Sequence, residues 1–266
     1  MLNRQQQLWL RDMRGKLLIP ASIIGAITLW QLAVSLGNFP AFILPPPLKV
    51  GERLIQVIRD GSLVRHSLVT LGEVASGLAL GLGTAVILGY WLAKLNWLER
   101  ILAPYIVASQ SVPVVAIAPL LVIWLGPGVL SKILITALIV FFPILVNIII
   151  GMRAVSRDLY DLMRSFQATR WQTLRYLEIP AAMPVFLGGL RIGATLAVIG
   201  AVVGEFVGSD RGLGFLINVG RGMYDTSLVF VAVFTLVAMA LIIYVLVSSL
   251  ERRLLSWQRR LDVWHS

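Results

Sequence analysis

The sequence predicts an all-α membrane protein of six spanning helices. Three observations carry that reading. The 266 residues are 58% hydrophobic and only 14% charged, where an average soluble domain is near half apolar and about a quarter charged. Six stretches reach the roughly 20 consecutive, mainly apolar residues that a bilayer core requires. The basic residues are shared unevenly between the segments that join those stretches. Such a chain is too apolar to be disordered and carries too few charges for an ordinary soluble domain. It holds no cysteine, which removes disulfides, thiolate metal sites and cysteine nucleophiles.

The spans are expected at 17–36, 68–92, 101–125, 130–150, 185–207 and 228–250, within a single domain covering 1–266. The first is long for a signal-peptide core and is followed by no small-x-small cleavage site, so it reads as a retained signal anchor. The second carries Glu73 near its outer end. The third contains Pro104, Pro113 and Pro119 and is expected to be kinked or broken, which a membrane tolerates only where protein or water satisfies the freed backbone. Ser109, Gln110 and Ser111 stand just before Pro113. A polar trio beside a helix breaker suits a substrate path or hydrogen bonds to neighbouring helices, and both readings stand. In the fifth span Gly189, Gly193, Ala197 and Ala201 recur at a spacing of four, the small-xxx-small pattern that lets helices approach. Glu205 continues that row. Glu73 and Glu205 either reach up to the headgroups or face a pore or partner, since intramembrane ionisable residues rarely face lipid. Arg65 and Arg191 are candidate partners for Glu73, and Arg191 alternatively snorkels to the inner surface.

Six spans place both termini on one side. With the N-terminus inside, segments 1–16, 93–100, 151–184 and 251–266 hold 15 Lys and Arg. Segments 37–67, 126–132 and 208–227 hold 7, and Arg191 lies within the fifth span. This is the positive-inside bias, so both termini are expected in the cytoplasm. The net charge of +10 is thereby an orientation signal. Nucleic-acid binding would need the bases on one folded face, so no nucleic-acid partner is expected. Trp9, Trp30, Trp91, Trp97, Trp124 and Trp257 lie mostly near span ends, as an interfacial belt requires. His66 and His265 fall on opposite sides of the membrane, so they share neither a metal site nor a catalytic site.

The inner segment 151–184 is the longest connection, and long loops are usually functional or structured. Ser156 is positioned to cap a helix whose first turn holds Asp158 and Asp161. Leu159, Leu162, Met163 and Phe166 form one apolar face. Thr169 and Gln172 have capping-box spacing, Trp171, Leu174 and Leu177 continue the stripe, and Pro180 is expected to end the second helix. Arg157, Arg164, Arg170 and Arg175 make the basic side. The pattern suits helices lying on the inner lipid surface. It equally suits a platform whose knob of Leu162, Met163 and Phe166 enters a partner's groove.

The stretch DLMRSFQATRWQTLRYLEIPAAMP, from Asp161 to Pro184, resembles the "EAA" cytoplasmic loop of binding-protein-dependent ABC importer permeases. Asp161, Leu162 and Met163 stand in the Glu-Ala-Ala places and Ile179-Pro180 in the hydrophobic-Pro pair, while Gln167 replaces the family's usual Gly. SQSVPVVAIAPLLVIWLGPG (Ser109 to Gly128) resembles the family's third span, and VVGEFVGSDRGLGFLINVGR (Val202 to Arg221) its fifth span and following outer loop.

The resemblance implies the type I ABC importer permease fold in a bacterial cytoplasmic (inner) membrane. It implies a second permease copy, read as a homodimer, two ATPase subunits inside and a solute-binding protein outside. Alternating access would be driven by ATP. Asp161, Leu162, Met163, Phe166, Gln167 and Pro180 become coupling residues, and Ser109, Gln110, Ser111, Glu73 and Glu205 candidates for the translocation path. The chain has no phosphate loop, since Gly15-Lys16 lacks both the upstream glycine and the hydroxyl residue. ATP and Mg are therefore expected on the partner ATPase, with no cofactor, metal or catalytic residue here. TLGEVASGLALG at the start of the second span resembles the vitamin-precursor members of the branch, which implies riboflavin or the thiamine-precursor pyrimidine as solute. Sulfonate, taurine or nitrate is the alternative. An ATPase-independent channel or secondary transporter is the alternative class. A membrane enzyme is disfavoured, because only Glu73 and Glu205 supply carboxylates within the spans.

Overall fold

A computed structural model describes residues 4–256, with side chains placed at residue 18 and from residue 20 onward. His265, Trp257 and the last bases of the chain lie outside the described residues, as does the side chain of Trp9. No strand occurs among the described residues. The helices are α1 (Arg4–Gly37), α2 (Pro47–Arg59), α3 (Ser62–Lys94), α4 (Asn96–Ser111), α5 (Val114–Leu125), α6 (Val129–Arg153), α7 (Arg157–Ser165), α8 (Arg170–Thr173), α9 (Ile179–Gly208), α10 (Leu213–Gly222) and α11 (Thr226–Leu254). A π-helical turn, Leu174–Glu178, joins α8 to α9.

Five helical segments are long and apolar enough to cross a bilayer: Pro20–Gly37 within α1, α3, α6, Arg170–Gly208 and α11. The third expected span is the pair α4 and α5, bent by 95°. Pro113 makes the break. It forces Val112 into an extended conformation (φ −84°, ψ 120°), because a proline ring crowds the α region of the residue before it. Pro104 and Pro119 lie inside α4 and α5 without interrupting them. The joining segments 37–67 and 208–227 contain helices of their own, α2 and α10.

Pro180 corrects an expectation. It does not end a helix but stands in the first turn of α9, within one continuous helical run, Arg170–Gly208. In a regular α-helix its ring would press on the carbonyl four residues back, that of Tyr176. The π turn takes up the misfit by pairing the Ile179 N–H with the carbonyl of Leu174, five residues back.

The chain divides into two compact units, 1–62 with 217–231 and 63–216 with 232–266. In the first, α1 exposes Leu18, Ile23, Ile24 and Ile27, the surface a bilayer solvates. Amphipathic α2 buries Val50 and Val57. Arg53 reaches Asp225 at 2.8 Å, and Trp30 stacks on Phe230 at 5.1 Å.

In the second unit α6 is gripped on two sides by rows of small residues. Gly189 meets Asn147, Gly193 meets Ile144, and Gly200 and Gly204 meet Thr136 and Lys132. On α3, Gly77, Gly81 and Gly89 meet Thr136, Ala137 and Ile148. A Cβ at Gly81 would stand 2.7 Å from the Ala137 carbonyl oxygen, and one at Gly200 2.7 Å from the Thr136 Cα. The row on α3, Gly77-Gly81-Ala85-Gly89, has the same spacing of four as that on α9. Glu73 heads one row and Glu205 the other.

Candidate functional site

Three places hold the residues singled out from sequence. The first is the loop of α7 and α8. Ser156 occupies the N-cap of α7 in extended geometry, but its side chain makes no capping bond. Asp158 alone is the first-turn acid. Asp161 lies further along and pairs with Arg164 at 3.2 Å, exposed enough that the pair contributes about 1 kcal/mol at most. α7 ends in a Schellman motif: Gln167 N–H donates to Arg164 O (2.8 Å) and Ala168 N–H to Met163 O (3.0 Å). This places Gln167 in the left-handed region at φ +52°, where glycine fits without cost. The backbone thus supplies the physical reason for a glycine at this place. The next residues form a complete capping box: Gln172 N–H donates to Thr169 Oγ1 (3.2 Å), and Thr169 N–H to Gln172 Oε1 (2.7 Å). Leu162 and Phe166 stand 50% and 74% exposed, an apolar knob with nothing covering it. Met163 is half-buried beside them.

One charged strut ties this loop to a span, and two more join spans to one another. Lys94, at the end of α3, pairs with buried Glu178 in the π turn. Arg153 of α6 pairs with Glu99 of α4. Arg191 pairs with Glu251 of α11 and lies 5.8 Å from the Tyr244 ring centroid, so its charge is met by protein rather than by headgroups. Burial and the negative charge of Glu178 push the Tyr160 phenol up to about 12, so it stays protonated at physiological pH.

The second place is the break between α4 and α5. Ser109, Gln110 and Ser111 are exposed at the end of α4. Both serine hydroxyls donate back into the helix, to Tyr105 O and Val107 O, which leaves the Gln110 amide as the outward polar group. Ser109 and Gln110 line a cavity of about 370 Å³ together with Phe142, Pro143 and Asn147 of α6. Pro143 has no N–H to give the Ile139 carbonyl, and both residues belong to the lining. The remaining lining is aliphatic, and no charged side chain contributes.

The third place is a charged cluster at the heads of the small-residue rows. Glu73 is 2% exposed and Lys132 3%, with Lys132 Nζ 3.0 Å from Glu73 Oε1. Lys132 also donates to Ser209 Oγ at 2.6 Å. Glu205, 1% exposed, accepts from the Thr70 hydroxyl (2.6 Å) and from the Gly214 N–H. Leu213 N–H donates to Thr70 Oγ1 (2.8 Å), and Gly212 N–H to His66 Nδ1 (2.9 Å). Side chains at Gly212 or Gly214 would run into the Glu205 carboxylate. The Gly-Leu-Gly turn is therefore folded onto Glu205, and both carboxylates lie inside the helix packing of the chain. Sequence reasoning paired Glu73 with Arg65 or Arg191 and left Lys132 in an outer loop. The structure pairs Glu73 with Lys132 in the first turn of α6. The usable signal was the spacing of four from Glu73 through Gly77, Gly81, Ala85 and Gly89, which marks a buried face. Among the described residues no group of three or more His, Cys, Asp or Glu side chains is arranged to hold a metal.

A bent third span, a stapled two-helix loop and a close-packed helical core define a transport component of the membrane. The chain belongs to the family of binding-protein-dependent transport system inner membrane components, whose pattern matches residues 84–256, and it is a permease subunit of an ABC importer. It is similar to the riboflavin transport system permease protein RibX of Chloroflexus aurantiacus, 48% identical over 240 residues and covering 90% of each chain. The formylaminopyrimidine transport permease protein ThiX of Halalkalibacterium halodurans is 33% identical over 234 residues, 88% of this chain and 93% of that one. The taurine transport system permease protein TauC of Escherichia coli is 29% identical over 236 residues, 87% of this chain and 86% of that one. A solved structure of the inward-facing MetNI methionine ABC transporter shares the fold, with a TM-score of 0.62 and 19% identity over 72% of this chain and 95% of that one.

Proposed function

We propose that the chain is half of the pathway of a riboflavin importer. It pairs with a second copy of itself and works with two ATPase subunits on the cytoplasmic side and a solute-binding protein outside. Both termini lie in the cytoplasm, and the whole chain acts as one transmembrane domain. ATP and Mg belong to the ATPase, and this chain contributes no cofactor.

The exposed knob of Leu162 and Phe166, with Met163, carries the coupling role. It sits on a loop whose second half is the start of a continuous helix reaching Gly208. A push on α7 and α8 is passed to α9 through that helix and to α3 through Lys94–Glu178. Closure of the ATPase pair would thus rock the spans, and hydrolysis would reset them.

The solute rests on the cavity at the helix break. Its lining offers the Gln110 amide, a phenylalanine and aliphatic groups, with the Asn147 amide N–H already given to Pro143 O and no cation. A neutral aromatic heterocycle with several hydrogen-bonding groups suits such a wall. A sulfonate, taurine or nitrate anion would need a compensating charge there. The 48% identity to a riboflavin permease supports the same choice, and the thiamine-precursor pyrimidine is the second reading.

Met163→Glu tests the coupling role. Burying a carboxylate in the ATPase groove is expected to abolish co-purification of the ATPase or to uncouple hydrolysis from uptake. An ATPase that stays bound, with unchanged transport, would overturn the docking role.

A further inference from the structure

A second cavity, of about 550 Å³, lies between α7, the C-terminal end of α3 and the π turn. Its size falls in the range of small-molecule sites. Its wall combines three bases, three aromatic rings and one buried acid. Lys94 stands 5.9 Å from the Tyr90 ring centroid and 5.5 Å from that of Tyr160, and its charge is met by Glu178. Arg164 is paired only on the surface, with Asp161. Arg170 has no ion-pair partner among the described residues. The wall therefore keeps a surplus of positive charge.

Glu178 gives the second clue. It is 1% exposed, and its Oε2 accepts no hydrogen bond of good geometry, the Tyr160 hydroxyl being the donor beside it. A buried acceptor left in this state costs about 1–3 kcal/mol, which a donor arriving in the cavity would recover. The position of the cavity gives the third. Tyr160 and Arg164 are one turn apart on α7, and the 100° helical advance per residue sets them opposite Leu162 and Phe166. An occupant would hold α7 against α3 and the base of α9 without touching the exposed apolar knob.

We propose that this cavity binds a phosphate group on a carrier that also brings a hydrogen-bond donor to Glu178 and a flat or apolar surface to the aromatic wall, and that occupancy restrains the loop and slows the transport cycle. Arginine and lysine supply the charge-assisted hydrogen bonds that phosphate selects. Two sources offer this chemistry. One is a soluble phosphorylated heterocycle on the inner side, for which riboflavin 5′-phosphate is the probe, a choice that rests on the flavin reading above. The other is the headgroup of an inner-leaflet anionic phospholipid such as phosphatidylglycerol, which carries hydroxyl donors beside its phosphate.

The test uses the full permease–ATPase complex in phosphatidylcholine nanodiscs, titrated with riboflavin 5′-phosphate, riboflavin and inorganic phosphate. Parallel samples contain phosphatidylglycerol, with retained lipid measured by native mass spectrometry. Wild type is expected to bind a phosphate-bearing probe saturably. Arg170→Gln and Arg164→Gln should each weaken binding about tenfold, near 1.4 kcal/mol. Arg157→Gln, outside the wall, should not. Saturable binding of riboflavin 5′-phosphate assigns the soluble source, and selective retention of phosphatidylglycerol assigns the lipid source. Binding of neither, or binding that ignores Arg170→Gln and Arg164→Gln alike, overturns the site. Riboflavin uptake in the same preparation reads the flavin proposal separately: if it fails while Arg170-sensitive phosphate binding persists, the flavin reading falls and the site stands.

Discussion

Replacing Lys132 by methionine should be the most damaging single change at the Glu73 end of the second unit. Lys132 and Glu73 are 3% and 2% exposed, and their charged atoms lie 3.0 Å apart. Methionine keeps much of the side-chain volume but leaves Glu73 as an uncompensated buried carboxylate. Breaking a buried pair in this way costs roughly 3–5 kcal/mol. The hydrogen bond to Ser209 is lost as well, worth about 1 kcal/mol. At roughly 2–4 °C per kcal/mol for a chain of this size, the unfolding midpoint should fall by about 8–24 °C. Removing the second charge should restore part of this. In Glu73→Gln/Lys132→Met the pair leaves no unpaired charge of its own, but Glu205, buried beside both residues, still loses its neighbouring cation. The double variant should therefore lie between Lys132→Met and wild type. The assay is thermal unfolding of the purified permease in nanodiscs at one fixed scan rate, because membrane proteins unfold irreversibly and their midpoints depend on rate. A Lys132→Met midpoint within the error of wild type would refute the reasoning. So would a double variant less stable than Lys132→Met.

Three other expectations follow from local geometry. Gln167→Gly removes a side chain from the left-handed region at φ +52° and should stabilise the turn after α7 by roughly 0.5–1 kcal/mol, since left-handed backbone costs about 1–2 kcal/mol in a non-glycine residue; hydrogen exchange at residues 167 and 168 should slow, and faster exchange would contradict the strain argument. Gly200→Ala places a Cβ 2.7 Å from the Thr136 backbone and should cost about 1–3 kcal/mol through forced separation of α9 from α6; an unchanged midpoint would mean the helices are not in close contact. Gln110→Leu should lower uptake several-fold while the permease still assembles with its ATPase, read by initial uptake rates; full uptake would remove Gln110 from the path.

The helical architecture was readable because bilayer physics writes itself into runs of apolar residues. Five of the expected stretches coincide with long apolar helices, and the three prolines of 101–125 warned of the break without showing that Pro113 alone makes it. That choice depends on how each proline's neighbours pack. The capping box of Thr169 and Gln172 was readable because it is a local exchange of hydrogen bonds. The fate of Pro180 was not, because a π turn is a non-local compromise between a stripe of side chains and one missing N–H. The Glu73–Lys132 pair escaped because a lysine at the edge of an apolar run looks like a loop residue; only the packing of α3 against α6 reveals its burial. The Gly-Leu-Gly turn was seen as a family signature, and its reason, backbone N–H groups folded onto Glu205 and Thr70, needed coordinates.

The central claim is that this chain moves riboflavin inward and that ATP hydrolysed by a partner drives the movement. The most direct measurement is uptake of labelled riboflavin into proteoliposomes holding the permease and its ATPase, with the binding protein added outside and ATP and Mg inside. Saturable uptake that needs all three proteins and ATP, and that Met163→Glu abolishes, is expected. Riboflavin uptake at the same rate without the ATPase or without ATP would contradict it.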